Sequence, residues 1–461
     1  MEPPWWWKMN RRLVLILLVL PLAAPAAQAP AAAERAREAA ELLVRGEYEA
    51  LAERFTEQMR KAAPPEMLRK AVGAQLAALG SLKRMGDGEV SKAGGFDVVF
   101  VPLEFERGSL RLQLSFDGEG RIAGLFLRPP AAAPAAWMRP PYSATEKFSE
   151  REVTAGAPGW PLPATLTMPR GEGPFPALAL VHGSGPNDRD ETVGAAKPFR
   201  DLAEGLASCG VAVLRYEKRT RQHAAKLAQA GAITLREEVI DDALAALELL
   251  RKTPGVDPKR VFLLGHSLGA WAAPLIAAED KRLAGVILLA APARPIEELY
   301  LEQVRYLLPL QMGDSQAARE KLAEAEREAA AVRRIRETGK GPDTVLGAPR
   351  AYWLSLRGLD PLATAAKLDT PILVLHGGRD YQVTQDDYRL WQKALAQHRR
   401  AALKEYPALN HLFQSGEGRS RPEEYQRPGH VAAEVIEDLC RWVTQAKQGR
   451  LRSSAARLPA F

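Results

Sequence analysis

The sequence predicts an α/β protein: a mostly parallel sheet covered by helices on both faces, interrupted by a helical cap and preceded by a small α+β domain. Three observations lead there. From about Tyr142 onward, short apolar runs alternate with helical stretches, the pattern of strands buried on both faces and joined by helical crossovers. One of these junctions reads Gly265-His266-Ser267-Leu268-Gly269. And roughly 80 residues separate the apolar run ending at Leu289 from the next one at Ile372, far more than a crossover needs.

The chain of 461 residues is long enough for two or three domains, and its 46% hydrophobic and 26% charged composition is that of a globular protein. It opens with Lys8, Arg11 and Arg12, then the apolar run Leu13 to Leu20, Pro21 and a small-residue tract. That is the order of a secretory signal, with small-x-small cleavage sites at Ala24-Pro25-Ala26 and Ala29-Pro30-Ala31. The expectation is an exported protein, periplasmic or extracellular, whose signal covers residues 1–29. The apolar core is too short for a comfortable membrane span, so no stable membrane anchor is expected after cleavage.

From Glu34 to Gly80 apolar residues recur at helical spacing: Ala36, Ala39, Ala40, Leu43 and Val44, then Leu68, Val72, Leu76 and Leu79. The period then changes to that of strands, at Phe96 to Phe105, Leu110 to Phe116 and Ile122 to Leu127, with Asp117-Gly118-Glu119-Gly120 as a hairpin turn. Residues 34–128 are thus expected to form a separate α+β domain. Its element order resembles that of the nuclear transport factor 2-like cone domains fused to some bacterial hydrolases. The run Pro129 to Ala136 begins a proline-rich, semi-rigid linker reaching residue 141.

In the second domain, 142–448, strands are expected near Leu166 and at Ala177 to Val181, Val211 to Leu214, Val261 to Leu264, Val286 to Leu289 and Ile372 to Leu375. Glu237 to Arg251 reads as an amphipathic helix between two of them. The long interval holds two helical stretches, Ile296 to Leu310 and Ser315 to Arg336, the second with an apolar stripe through Leu322, Ala325, Ala329 and Val332. It is read as a cap, about residues 294–368, roofing the sheet.

Ser267 sits between a buried strand and the apolar, alanine-rich run Ala270 to Ala277, the setting of a nucleophile elbow. A serine hydroxyl needs a base, and the base needs an orienting acid. Downstream, Asp380 follows the strand Ile372 to Leu375, and His411 follows the extended stretch Ala402 to Tyr406. Both are therefore placed at the carboxyl ends of strands, where α/β proteins bind ligands. His430 is the rival base; Asp386 and Asp387 are rival acids. His376 and His266 are read as structural, and His223 and His398 as exposed. An oxyanion hole would take the backbone N–H of Leu268 and that of Ser184, from His182-Gly183-Ser184-Gly185-Pro186 after the strand Ala177 to Val181.

These motifs, together with His182 to Asp190, Leu214 to Thr220 and Gly377 to Val383, resemble exported bacterial α/β-hydrolases of the serine aminopeptidase/prolyl oligopeptidase-like group. The resemblance covers residues 142–445. It implies an α/β-hydrolase fold and a carboxylesterase acting on small-molecule esters with short acyl chains. By the same resemblance Tyr352 and Trp353 in the cap are acyl-pocket aromatics. A peptidase on the same triad is the alternative; it would need an anion for the substrate ammonium, for which Glu297, Glu298 and Glu302 are candidates. A non-catalytic binding protein is the third reading.

The basic excess of +7 is scattered, with no long Lys/Arg run, which disfavours nucleic acid as a partner. No H-E-x-x-H, C-x-x-C or phosphate-binding loop occurs, so no metal and no cofactor are expected. Lys218, Arg219 and Arg221 read as exposed charges fringing the cleft. Cys209 and Cys440 are either one disulfide or two small buried side chains.

Overall fold

The computed structural model describes residues 29–93, 96–128, 137–224, 226–227 and 233–445. The expected signal, to residue 28, and residues 129–136 of the expected linker lie outside the described residues. The chain divides into two compact units on either side of Pro134.

In the first unit, helix Ala29–Arg45 and shorter helices pack on an antiparallel sheet. Its strands are β1 (Leu82–Met85), β2 (Glu89–Ala93), β3 (Phe96–Phe105), β4 (Gly108–Phe116) and β5 (Ile122–Arg128). Both β1 and β2 pair with β3, and β4 lies between β3 and β5. The helix buries Ala32, Ala36, Ala39, Ala40 and Leu43 in one cluster with Val99, Val101, Leu103, Leu112 and Leu114 of the sheet. Four of those five helix residues are alanines, whose short side chains let a helix backbone lie close to a pleated surface. Each fully buried Leu or Val contributes about 1.5–3 kcal/mol against the chain entropy lost on ordering.

In the second unit eight strands form one sheet: β6 (Phe148–Ala155), β7 (Leu162–Pro169), β8 (Phe175–Val181), β9 (Ala212–Tyr216), β10 (Val256–His266), β11 (Gly285–Leu289), β14 (Ile372–Gly377) and β15 (Ala401–Tyr406). Between β11 and β14 a two-stranded hairpin, β12 (Thr344–Val345) and β13 (Ala348–Pro349), belongs to the cap. The sheet order is β15-β14-β11-β10-β8-β9-β7-β6. From β15 to β9 neighbours run parallel, while β7 is antiparallel to β9 and to β6.

Alternate residues of the central strands feed two separate cores. Ala177, Ala179, Val181, Leu263, Val286 and Val374 point into one, together with helices Asp241–Lys252 and Leu268–Glu279. Leu178, Leu180, Phe262, Leu264, Ile287 and Leu373 point into the other, with helices Pro198–Ser208 and Ala433–Gln445. Both faces are dry, which is why the strands read as continuous apolar runs. On the second face Cys209, at the end of Pro198–Ser208, is disulfide-bonded to Cys440 with Cα atoms 6.3 Å apart. Of the two readings of these cysteines, the structure holds the disulfide.

The long interval is helical: Ile296–Met312 and Gln316–Thr338 form a hairpin, followed by Arg350–Ser355 and Pro361–Ala366. Tyr300 donates to Glu328 at 2.6 Å across the hairpin, and the Ala325, Ala329 and Val332 stripe joins the first core. Among the described residues no helix is long and apolar enough to cross a membrane.

Candidate active site

Strand β10 delivers the chain to Ser267 in a conformation that L residues seldom adopt, φ 52° and ψ −116°. Two hydrogen bonds hold it there: Ser267 N–H donates to Leu289 O at 2.9 Å, and Ser267 O accepts from Trp271 N–H at 2.9 Å, closing the first helical turn. The flanking glycines are a steric requirement. A Cβ on Gly265 would collide with the Gly269 carbonyl, and one on Gly269 with the carbonyl of Val181. Local strain of this kind persists where the surroundings over-determine it, and here it presents the hydroxyl beyond the sheet's carboxyl edge.

The loop after β14 carries Asp380. Its Oδ1 accepts from the amides of Gln382 at 2.7 Å and Val383 at 3.1 Å, and its Oδ2 accepts from His411 Nδ1 at 2.6 Å. The loop after β15 carries His411, and Asn410 shapes that loop by accepting from the amides of Leu412 and Gln414, both at 3.0 Å. His411 and Asp380 are each 4% exposed, so their charge-assisted bond is shielded from water.

The loop after β8 carries Ser184. Gly183 N–H donates to Glu191 Oε1 at 2.6 Å, and Gly183 O accepts from Lys218 Nζ at 2.7 Å and from Asn187 Nδ2 at 3.1 Å. Lys218 also pairs with Glu238 at 2.7 Å, and Arg219 makes two bonds to Asp242, at 2.8 and 2.6 Å. Lys218 and Arg219 are thus buried, not exposed as their charge implied; each reached the interior with a carboxylate partner, which burial of a charge requires. Arg221 is exposed. The His182 ring is tilted against that of Phe199 and meets Tyr216 edge to face, and burial pushes its pKa down to about 4.

Ser184, Ser267, Leu268 and His411 line one cavity of about 110 Å³. Its apolar wall is made by Val193, Trp271, Ile296, Leu299 and Leu412; Gln303, Gln382 and Tyr425 add polar atoms. Ile296, Leu299 and Gln303 come from the first cap helix, which therefore forms part of the site. Tyr352 and Trp353 do not line this cavity, contrary to the expectation. They are buried within the cap and its base: Trp353 Nε1 donates to Val345 O at 3.1 Å, and the buried Tyr352 hydroxyl feels the charge of Glu238. Their aromatic character serves packing there. The lining residues were missed because helix Ile296–Met312 is apolar on more than one side, and sequence alone does not say which side faces Ser267.

The alternatives separate cleanly. His430 lies 3.3 Å from Asp201, at the start of the last helix, and is absent from the cavity. Asp387 accepts from the amides of Ala293 and Arg294 and pairs with the Arg294 side chain at 2.6 Å, fixing the entry to the cap. Asp386 pairs with Arg389 on the surface. His376 stacks on Tyr388. Glu297 is paired with Arg336 at 2.7 Å, Glu302 with Arg294 at 2.5 Å, and Glu298 is exposed; none of the three lines the cavity. Among the described residues no cluster of three or more His, Cys, Asp or Glu is arranged to hold a metal.

Residues 180–417 match the family described as "Serine aminopeptidase, S33", and residues 36–125 match one described as "Protein of unknown function (DUF3887)". Esterase EstD of Thermotoga maritima is 40% identical over 351 residues, spanning 76% of this chain and 80% of its own. Among solved structures, Est1E from Butyrivibrio proteoclasticus has a TM-score of 0.41 at 18% identity, covering 64% of this chain and 98% of that one. A Pyrobaculum calidifontis esterase gives 0.40 at 16%, covering 66% and 86%. The family match spans the strands and loops that carry Ser184, Ser267, Asp380 and His411, and the chain belongs to the serine aminopeptidase S33 family of α/β-hydrolases.

Proposed function

We propose that this protein hydrolyses carboxylic esters with short acyl chains through an acyl-enzyme on Ser267. The observation that carries the reading is the buried Asp380–His411 hydrogen bond at 2.6 Å, opening on the same small cavity as the strained Ser267. In the proposed sequence Ser267 Oγ attacks the ester carbonyl carbon while its proton passes to His411 Nε2. The carbonyl oxygen becomes an oxyanion held by the N–H groups of Ser184 and Leu268, each such donor contributing ~2.7–4 kcal/mol to the transition state. As the tetrahedral intermediate collapses, the C–O bond to the alcohol breaks and His411 returns the proton to the leaving oxygen. A water then repeats the attack on the acyl-enzyme, again losing its proton to His411, and the carboxylic acid departs with Ser267 restored. Throughout, Asp380 keeps the His411 proton on Nδ1 and balances the imidazolium.

The size of the cavity supports short acyl groups. An ester is favoured over a peptide because none of the candidate anions Glu297, Glu298 and Glu302 reaches the cavity to receive an ammonium. The test is Ser267→Ala assayed on p-nitrophenyl acetate and butyrate, beside aminoacyl anilides with the wild type. Loss of ester turnover in a folded variant is expected, with ester cleavage exceeding anilide cleavage in the wild type; undiminished turnover would refute the reading.

We also propose that the protein acts outside the cytoplasm. The basic, apolar and small-residue order of its first 29 residues supports this, and so does the Cys209–Cys440 bond, since disulfides persist mainly in oxidising compartments. Fractionation of expressing cells would decide it, since recovery of uncleaved protein solely from the cytosol contradicts export.

A further inference from the structure

A second histidine is built into the site and has no part in the proton transfers above. His266, immediately before the nucleophile, is 6% exposed. Its Nδ1 lies 2.9 Å from Glu191 Oε2, and its Nε2 lies 3.0 Å from the backbone carbonyl of His411. Its ring is tilted against that of His411, with centroids 4.7 Å apart. Both partners, a carboxylate and a carbonyl, are acceptors only. The bond to the His411 carbonyl needs an N–H on Nε2, and a carboxylate oxygen 2.9 Å from Nδ1, though off the line of a hydrogen bond, favours a proton there as well, so the ring is an imidazolium.

Glu191 is equally specialised. It is 3% exposed, adopts a left-handed φ of 52°, and spends its other oxygen on Gly183 N–H at 2.6 Å. A non-glycine residue held in that region at a cleft signals a constraint from function. A Cβ on Gly183 would stand 3.2 Å from both Glu191 Oε1 and the Ser267 Cβ, so glycine gives the same cluster room to close up. One carboxylate and one ring thus connect the oxyanion loop, the elbow and the backbone of the catalytic base.

We propose that Glu191 and His266 form a buried, charged positioning pair that fixes the His411 loop relative to Ser267 and the oxyanion loop. The inference rests on the triad reading above and deepens it. Other ionisable groups around the pair fit a charged state. Asp188 and Lys218 are nearby, the latter held by Glu238 and Gly183 O; His182 is neutral above about pH 4; and the charge of Asp380, like the His411 carbonyl, favours the imidazolium. Burial opposes the charge on His266, but the facing Glu191 outweighs it and holds the imidazole above its ordinary range. Burial likewise opposes the charge on Glu191, but His266 together with the Gly183 N–H keeps the carboxyl below its usual range.

The experiment uses the full chain labelled with 15N-histidine, with the His266 signal assigned from the spectrum of His266→Gln. At neutral pH His266 should show two protonated nitrogens in the wild type and a neutral tautomer in Glu191→Gln. On p-nitrophenyl acetate, His266→Leu should lower kcat on the order of 10- to 100-fold with KM little changed, the signature of misplaced catalytic groups. His266→Gln, which retains a donor for the His411 carbonyl, should recover part of that loss. A neutral His266 in the wild type overturns the proposal, and so does a folded His266→Leu with wild-type kcat. Should His266→Leu fail to fold, the nitrogen shifts of wild type and Glu191→Gln decide alone. Because those shifts do not depend on turnover, failure of the triad reading in Ser267→Ala remains distinguishable.

Discussion

His411 Nδ1 donates to Asp380 Oδ2 across 2.6 Å although the two residues leave different strands. The register of the sheet brings them together. Strands β14 and β15 are parallel neighbours, with Gly377 opposite Tyr406, so the loops that follow begin side by side at the same edge. Backbone amides of Gln382 and Val383 occupy Asp380 Oδ1 and leave Oδ2 for the histidine.

That division of labour makes Asp380→Asn informative. The substituted amide is expected to keep its oxygen on the two backbone amides and turn its NH2 toward His411. Nδ1 must then accept, the proton moves to Nε2, and the base faces Ser267 with nothing to take a proton. The expected loss in kcat is about 10⁴-fold with intact folding, as for the wrong tautomer in other serine hydrolases. Ester kinetics and a thermal melt of the variant check both parts.

Leu299 is the wall residue through which, on the proposed function, the cap would set acyl length. It lines the 110 Å³ cavity from helix Ile296–Met312 and is buried. Leu299→Ala should extend the cavity, moving the ratio of kcat/KM for octanoyl over butyryl esters upward by about 10-fold, the worth of one or two methylene contacts. A chain-length series of p-nitrophenyl esters reads this directly. An unchanged ratio would place the acyl group elsewhere.

How much of this was legible in the sequence follows from how local each signal is. The strands β8, β10, β11 and β14 are buried on both faces and announce themselves as apolar runs. Strand β6 does not, because at the sheet edge its Ser149, Glu150, Arg151 and Glu152 are all exposed. The gathering of Ser267, Asp380 and His411 at one edge of the sheet was readable because each sits past a strand, in that chain order. Lys218 was read as a surface charge, since its partner Glu238 lies 20 residues away and only the fold pairs them. His266 was read as structural and Glu191 was passed over for the same reason, their contact being purely tertiary. Tyr352 and Trp353 show the converse, since large aromatics in a cap pack its base as readily as they meet a ligand.

His182 supplies a pH prediction. Its folded pKa of about 4 lies below the ordinary value of 6.5 because burial disfavours the charged ring. Below 6.5 the unfolded chain takes up a proton that the folded chain refuses, so acid favours unfolding. Stability is unaffected above pH 6.5, falls as the pH drops from 6.5 toward 4, and levels off below 4. The full difference is on the order of 3 kcal/mol. Urea titrations of wild type and His182→Asn at the two ends of this window should show a smaller acid loss in the variant. An equal loss would assign the acid sensitivity to other groups.

The disulfide predicts a stability effect without a catalytic one. Cys209 and Cys440 are separated by 231 residues, so their bond restrains most of the second unit in its unfolded state. They also tie helix Pro198–Ser208 to the final helix on the sheet face opposite the elbow helix Leu268–Glu279. Cys209→Ser combined with Cys440→Ser should cost about 2–5 kcal/mol, the usual range for removing a native disulfide. The melting temperature falls accordingly, while kcat on p-nitrophenyl acetate stays at the wild-type value as long as the protein is folded. Reduction of the wild type should reproduce the lower melting temperature and have no effect on the variant. A melting temperature unchanged by both treatments would mean that packing of the two helices, through Phe199, Leu202, Leu439 and Val443, holds this face together without the bond.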